Sequence, residues 1–283
     1  MTIRLAAVQP RSYSGAEERR NAEEALAWLD RAADEGADLV VFPEGYPGPT
    51  NPANDYDAFT PLAAKAAERG VYVVAGRIAP ADDGRHHVTL ELIDDRGETV
   101  GVYRRTSPCG PYIYRDIDAW QFDYAEASEP ELPVFDTRLG KIGMLVCSEL
   151  YVPELTRVLA LRGADIVVFP AGGAINELLP SWRALVWARA IENLVYTAAT
   201  QNIYEEDEEG VGTIAAPEGI VAASTEVGLL VADLDLERLR FLREEDERIV
   251  FPKPYATIPG VLRWRRPELF RSLASAEAEE ARR

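Results

Sequence analysis

Two hydrophobic periods alternate along most of the chain, and this alternation predicts a layered α/β fold. Short, wholly apolar runs such as residues 39–42 are typical of buried strands. Between them, apolar residues recur every three or four positions, which is typical of helices with one buried face. The predicted strands are 3–8, 39–42, 71–75, 88–94, 99–104, 141–146, 166–169, 195–200, 212–216 and 229–233. The predicted helices are 16–35, 61–69, 153–162 and 182–194, and residues 95–97 form a predicted hairpin turn.

Ten residues recur almost unchanged later in the chain. Residues 36–45 read Gly-Ala-Asp-Leu-Val-Val-Phe-Pro-Glu-Gly, and residues 163–172 read Gly-Ala-Asp-Ile-Val-Val-Phe-Pro-Ala-Gly. A helix, a Gly-Ala-Asp turn and an apolar strand is a common α/β sequence, so coincidence is the alternative. The extent of the match favours two related halves. We therefore expect two sheets packed face to face with helices outside, a four-layer α-β-β-α sandwich. It would form one domain over residues 1–271, with 272–283 as an acidic helix or tail.

The one chemical difference between the two copies is that Glu44 is replaced by Ala171. Because the second copy predicts the same strand without a carboxylate, the strand itself does not require Glu44. The acid must instead serve chemistry or a local salt bridge. Ligands of α/β sheets bind near the carboxyl ends of strands, which is where Glu44 lies.

The charge balance excludes several classes of partner. With 48 acidic and 30 basic residues, the net charge of −18 disfavours binding to nucleic acid or an anionic membrane. No apolar run is long enough for a transmembrane helix, and the N-terminus reads directly as a strand, so we expect a cytoplasmic protein. The basic residues are almost all arginine, which fits either a salt-rich cytoplasm or a GC-rich genome.

The sequence offers few residues for histidine, metal or nucleotide chemistry. His86 and His87 are adjacent in a polar segment that predicts an exposed loop. The two cysteines, Cys109 and Cys147, are too few for a disulfide scaffold and lack the spacing of metal ligands. No P-loop, dinucleotide-binding glycine motif or serine elbow is present. If the protein is an enzyme, its base is a carboxylate, and we expect neither a metal nor a cofactor.

Cys147 lies in an elbow between a predicted strand and the helix that begins at Pro153. Backbone N–H groups and the helix dipole at such an elbow stabilise both a thiolate and an oxyanion. The alternative is a buried cysteine that packs as a small hydrophobic residue. Glu44, Cys147 and the basic pair Arg104-Arg105 all follow predicted strands. Together they supply a base, a nucleophile and an oxyanion stabiliser for acyl transfer.

Six motifs, taken in order and spacing, resemble the nitrilase, or carbon–nitrogen hydrolase, superfamily from residue 6 to about residue 233. They are Phe42-Pro-Glu-Gly45, Gly101-Val-Tyr-Arg-Arg105, Gly143-Met-Leu-Val-Cys147 with Pro153-Glu154, Trp187-Ala-Arg-Ala-Ile-Glu-Asn193, Gln201-Asn202 and Gly212-Thr-Ile-Ala-Ala-Pro-Glu-Gly219. The resemblance implies an α-β-β-α sandwich, a homodimer or larger homo-oligomer, and a Glu-Lys-Cys triad without metal or cofactor. It gives Glu44 the place of the general base and Cys147 that of the nucleophile.

Arg105 occupies the position at which the resemblance places a lysine. If the cation only stabilises the oxyanion, a guanidinium can replace it. If the cation must donate a proton, arginine is a poor replacement because it stays charged. The expected activity is hydrolysis of a small amide through a thioester. A nitrile substrate, or a protein that has lost turnover and binds a small carbonyl ligand, is the alternative.

Further candidates surround this triad. Glu149 is either an acid of the substrate pocket or a charge partner of the helix N-terminus, and Tyr112 and Ala171 are candidate substrate contacts. Cys109 is read as a loop residue rather than a pocket residue. Arg189 and Glu192 pair either across a subunit interface or within their helix. The resemblance also implies a second acid from the loop after Arg105, with Asp116, Asp118 and Asp123 as candidates. Tyr112, Tyr114 and Trp120 either form an apolar wall for the substrate or pack this loop down.

Overall fold

The computed structural model of the protein describes residues 1–51, 54–80, 86–107, 132–173, 178–243 and 266–274. The first half contains β1 (Thr2–Gln9), α1 (Arg20–Asp34), β2 (Leu39–Val41), α2 (Phe59–Arg69), β3 (Tyr72–Pro80), β4 (His86–Ile93) and β5 (Thr99–Arg104). The second half contains β6 (Val134–Thr137), β7 (Gly140–Met144), α3 (Pro153–Leu161), β8 (Ile166–Ala171), α4 (Leu179–Asn193), β9 (Tyr196–Gln201), β10 (Thr213–Ala216), β11 (Gly219–Ala223), β12 (Gly228–Asp235) and α5 (Leu236–Arg243).

The strands form two six-stranded sheets, ordered β12-β1-β2-β3-β4-β5 and β11-β10-β9-β8-β7-β6. In the first, β1, β2 and β3 are parallel, and β4 and β5 continue antiparallel. In the second, β7, β8 and β9 are parallel, and β10 and β11 continue antiparallel. The two halves therefore repeat one strand pattern, with the repeated decapeptide forming the middle parallel strand of each.

One hydrophobic core joins the inner faces of the two sheets. It contains Leu5, Val41 and Leu90 from the first sheet together with Ile142 and Val168 from the second. A separate cluster packs the outer face of the first sheet against α1 and α2; its members include Val8, Leu29, Val40, Leu62 and Val73. This confirms the predicted α-β-β-α sandwich.

The repeated Gly-Ala-Asp has the same structural task in both halves. Gly36 and Gly163 take left-handed conformations, with φ of 78° and 96°, where the preceding helices end. Asp38 then accepts a hydrogen bond from the Arg4 N–H at 2.8 Å, and Asp165 accepts one from the Lys141 N–H at 2.9 Å. Each copy thus closes a helix and ties the parallel strand to its neighbour. These contacts account for the Gly and Asp of each copy and do not involve Glu44.

Several predicted elements differ from the structure. Helix α1 begins at Arg20 rather than near residue 16, because residues 15–17 form a separate 3₁₀ turn. The pattern missed β6, β11 and α5, which are short and carry few buried positions. The predicted hairpin between β4 and β5 is present, with Gly97 at φ 79°. Of the predicted acidic end, the structure describes only residues 272–274, in a 3₁₀ segment that begins at residue 267.

The expectation of an exposed loop at His86 and His87 was wrong. Both residues begin β4, where they pair with Pro80 and Ala79 of β3, and His87 is buried. The long partner strand β3 extends the sheet beyond the apolar pattern, so sheet pairing outweighs the polar local sequence. None of the helices among the described residues is long and apolar enough to cross a membrane.

Candidate active site

The three residues predicted for catalysis follow three different strands. Glu44 follows β2 and Arg105 follows β5 in the first sheet, and Cys147 follows β7 in the second. Contacts between the sheets bring these strand ends together. Arg11 pairs with Ile203 just beyond the ends of β1 and β9, and the Thr200 hydroxyl donates to the Val8 carbonyl.

Arg105 connects the acid to the cysteine elbow. Its Nη1 donates to Glu44 Oε1 at 2.9 Å, and its Nη2 donates to Ser148 Oγ at 2.5 Å. Its Nε donates to the Ser107 carbonyl at 2.8 Å, which holds the guanidinium on its own segment. The Arg105 side chain is only 1% exposed, so water screens the Glu44 ion pair little. The structure therefore places a permanent positive charge between Glu44 and the residue next to Cys147.

Cys147 adopts an unusual backbone conformation, with φ of 49°. This left-handed region costs a residue other than glycine about 1 kcal/mol or more, so neighbouring contacts must hold it. The Val146 N–H donates to Glu149 Oε2 at 2.7 Å, and the Glu149 N–H donates to the Val146 carbonyl at 3.0 Å. Leu145, just before them, is tied to β8 through the Val168 carbonyl at 3.0 Å. Cys147 is partly exposed at this elbow and opens a 3₁₀ turn.

The second copy of the decapeptide touches the acid of the first. Glu44 Oε2 lies so close to Gly172 that a Cβ atom added there would be 2.9 Å away. Gly172 directly follows Ala171, which is fully buried at the end of β8. The Asn202 side-chain amide donates to the Glu44 carbonyl at 2.8 Å and accepts a hydrogen bond from the Ser12 hydroxyl at 2.7 Å. Because Ala171 and Gly172 of the second copy are small, they leave space for the Glu44 side chain of the first copy.

Glu149 is completely buried beneath the elbow. Its carboxylate accepts hydrogen bonds from the backbone N–H groups of Val146, Thr106 and Ser107, and from the hydroxyls of Tyr103 and Thr106. Burial, and then the neighbouring Glu149 carboxylate, raises the pKa of Tyr103 well above its usual value. One of these donors, the Val146 N–H, lies at the start of the 3₁₀ turn, and the other four belong to residues 103–107.

Sequence reasoning missed several residues that surround the triad. Ser148 could have been found as the neighbour of Cys147, Gly172 as part of the repeat, and Asn202 from the Gln201-Asn202 motif. Tyr204 had no such signal. Burial raises its pKa, and the carboxylates of Glu44, Glu18 and Glu208 raise it further.

The remaining candidates fall into two groups. Tyr112, Cys109, Asp116, Asp118, Asp123, Tyr114 and Trp120 fall outside the described residues. Arg189 and Glu192 form an ion pair of 2.7 Å within α4, and the Arg189 Nε also donates to the Leu150 carbonyl at 3.0 Å. Across the described ranges, no group of three or more His, Cys, Asp or Glu side chains could hold a metal ion.

The chain is similar to known carbon–nitrogen hydrolases. The family model of the carbon–nitrogen hydrolases matches residues 4–244. An omega-amidase of Xenopus laevis, NIT2-B, is 28% identical over 244 residues, covering 80% of this chain and 86% of the relative. A nitrilase of Pyrococcus abyssi is 31% identical over 252 residues, covering 82% and 90%.

A solved structure shows the same fold. The crystal structure of a carbon–nitrogen hydrolase from Helicobacter pylori G27 superposes with a TM-score of 0.80 at 22% identity, covering 98% of this chain and 99% of that one. The shared fold extends over nearly the whole chain. The family model and the relatives confirm what the motifs predicted: the chain belongs to the carbon–nitrogen hydrolase family.

Proposed function

We propose that the protein hydrolyses small amides to a carboxylic acid and ammonia or an amine, with Cys147 as the nucleophile. The observation that carries this proposal is the hydrogen-bonded chain from Glu44 through Arg105 to Ser148, next to Cys147. It supplies a carboxylate base, a fixed cation and a thiol at adjoining strand ends. The relative named omega-amidase, which matches most of both chains, supports an amide as the substrate.

In the first half of the reaction, Glu44 accepts the proton of the Cys147 thiol, and the thiolate attacks the carbonyl carbon. A C–S bond forms while the carbonyl π electrons move to oxygen. Backbone N–H groups of the elbow and the Arg105 guanidinium stabilise this oxyanion. As the tetrahedral intermediate collapses, the C–N bond breaks, and Glu44 returns its proton to the leaving nitrogen. A thioester on Cys147 remains.

In the second half, Glu44 accepts a proton from water, and the resulting hydroxide attacks the thioester carbon. The C–S bond breaks, the carboxylic acid leaves, and the proton held by Glu44 returns to the sulfur. Glu44 thus moves protons in both halves, whereas Arg105 moves none. A guanidinium stays protonated at ordinary pH, so its part is electrostatic. The contacts of Arg105 with Glu44 and Ser148 support this division of roles.

A nitrile substrate is the second candidate, because the relative from Pyrococcus abyssi is named a nitrilase. Thiolate attack on a nitrile carbon gives a thioimidate, which water and the same base would hydrolyse. Amide and nitrile therefore require the same residues, and direct assay separates them. The homodimer implied by the resemblance and the cytoplasmic location stay predictions.

Ammonia release from a panel of short aliphatic amides and nitriles tests the proposal. We expect the wild-type enzyme to turn over amides, Cys147→Ser and Glu44→Gln to lose at least about 1000-fold in kcat, and mass spectrometry to find the acyl group on Cys147. Cys109→Ser, which removes the other thiol of the chain, is the matched control and should keep its activity. Release from no member of the panel, together with a Cys147 that does not react with a thiol probe, would overturn the enzyme assignment and favour binding of a small carbonyl ligand.

A further inference from the structure

Glu149 joins the two segments that carry the proposed catalytic cation and nucleophile. The arginine segment, residues 103–107, contains Arg105, and the cysteine elbow, residues 146–149, contains Cys147. Glu149 Oε1 accepts hydrogen bonds from the Thr106 and Ser107 N–H groups, both at 2.9 Å. Its Oε2 accepts one from the Val146 N–H at 2.7 Å. One carboxylate therefore binds both segments, which belong to different sheets.

A carboxylate suits this position for a chemical reason. An ionised carboxylate is acceptor-only and offers about four lone-pair sites on two oxygens. Five donors converge on Glu149: three backbone N–H groups and the hydroxyls of Tyr103 and Thr106, at 2.7 to 3.0 Å. A glutamine would present its NH₂ group, which is itself a donor, to at least one of these donors. That buried donor would then have no acceptor, which costs free energy.

The contacts of Glu149 lie on both sides of Arg105 in the arginine segment. Tyr103 precedes Arg105, and Thr106 and Ser107 follow it. The second direct link between the two segments is the hydrogen bond of 2.5 Å from Arg105 Nη2 to Ser148 Oγ. Glu149 therefore fixes the backbone on which Arg105 stands, relative to the elbow that its guanidinium must reach.

We infer that Glu149 is a positioning residue, which sets the place of the Arg105 guanidinium relative to the Cys147 sulfur. This inference rests on the proposed function, because it concerns the same site. Glu149 acts by holding Arg105 in place relative to the elbow, and this role replaces the expectation of a substrate contact for Glu149. Its complete burial and its five protein donors support a role that involves no direct contact with the substrate.

Glu149→Gln tests the inference through the separate behaviour of kcat and KM. We expect kcat to fall about 100-fold, because a shift of about 1 Å in a catalytic group has an effect of this size. KM should stay within about threefold, because the substrate contacts remain. Asp94→Asn is the matched control, since Asp94 is also a buried carboxylate that accepts two backbone N–H bonds, in the β4–β5 turn. An equal loss of kcat in both variants would overturn the inference.

A double-mutant cycle with Arg105→Lys separates positioning from general destabilisation. If Glu149 acts through Arg105, Glu149→Gln will cost less than about threefold in the Arg105→Lys background. Losses that multiply instead would show that Glu149 acts independently of Arg105 and would overturn the inference. If Glu149→Gln does not fold, Tyr103→Phe takes its place, because it removes one donor and leaves the carboxylate. An unchanged kcat in Tyr103→Phe would then overturn the inference.

Alkylation of Cys147 by iodoacetamide, followed by mass spectrometry at that residue, gives a measure that needs no substrate. Glu149→Gln should slow this alkylation, and Asp94→Asn should leave it unchanged. If the wild-type protein hydrolysed no amide, the proposed function alone would be overturned. The alkylation rates would still test the role of Glu149. Equal rates in the wild type and Glu149→Gln would overturn the positioning role alone.

Discussion

Arg105 Nη1 and Glu44 Oε1 lie 2.9 Å apart, although 61 residues separate them in the sequence. The two side chains follow strands β5 and β2 of one sheet, and the same guanidinium reaches Ser148 in the 3₁₀ turn that follows β7 of the other sheet. A planar fork with five N–H donors can bind acceptors in three directions at once. The resemblance places a lysine at this position. Here an arginine occupies it, and the planar guanidinium donates to three acceptors that surround it.

Arg105→Lys should lower kcat/KM by about 10- to 100-fold, because a single ammonium cannot replace contacts with Glu44, Ser148 and Ser107 together. Steady-state kinetics on the best amide measures the change. Arg104→Lys is the matched control, since the neighbouring Arg104 contacts His87 rather than the triad. A gain of activity in Arg105→Lys would show instead that arginine is a compromise at this position.

Gly172→Ala should displace the Glu44 carboxylate and reduce kcat by about 10-fold or more. The added Cβ would lie 2.9 Å from Glu44 Oε2, closer than a van der Waals contact permits. Gly173→Ala is a close control, because among the residues that the structure describes its Cβ would meet only Glu208 Oε1, at an ordinary 3.8 Å. Kinetics of both variants, with their melting temperatures, makes the comparison. Equal activity in the two would show that Gly172 does not constrain the acid.

Asn202→Ala should reduce kcat by about 10-fold, because it frees the backbone carbonyl of Glu44. Asn193→Ala removes another buried amide, which donates to the Arg189 carbonyl at 2.9 Å within α4. Asn202→Ala loses two hydrogen bonds and Asn193→Ala loses one, so they should lose about 2 and about 1 kcal/mol of unfolding free energy, respectively. Only Asn202→Ala should lose activity. If Asn193→Ala lost a comparable amount of kcat, the loss in Asn202→Ala would be explained by reduced stability rather than by the freed Glu44 carbonyl.

The stabilising contribution of Asp94 should disappear in acid. Burial alone would raise the pKa of Asp94, but the N–H groups of Glu98 and Arg96 and the Arg96 guanidinium hold it below its usual value. A lowered pKa in the folded state contributes stability above the unfolded pKa of about 3.9, and this is lost as pH falls through the folded pKa.

Urea unfolding of wild type and Asp94→Asn from pH 7 to pH 3 measures this contribution. The difference in unfolding free energy should be about 1–2 kcal/mol at pH 7. It should stay constant down to about pH 5 and narrow below about pH 4. A difference that widens as the pH falls would contradict the ionised role of Asp94.

The sequence predicted those parts of the fold that have a local period. The parallel strands β2 and β8 are short, fully buried apolar runs, and their burial produces this pattern directly. Strand β11 was missed because it lies at a sheet edge, where Ile220 and Val221 are exposed and no regular alternation is required. His87 was misplaced because its burial depends on pairing with β3, which the local sequence does not encode.

By itself, the sequence determined the two related halves, the strand-end positions of Glu44 and Cys147, and the family. These features depend on the hydrophobic period and on short motifs, and both are set by residues that are close together in the sequence. Only the tertiary structure decided which groups meet: Glu44 with Gly172, Arg105 with Ser148, and Glu149 with the segment that carries Arg105. The reason is that hydrogen-bond partners of a buried carboxylate come from distant strands. Whether those strands come close to one another depends on how the two sheets pack, and the local sequence pattern does not encode that packing.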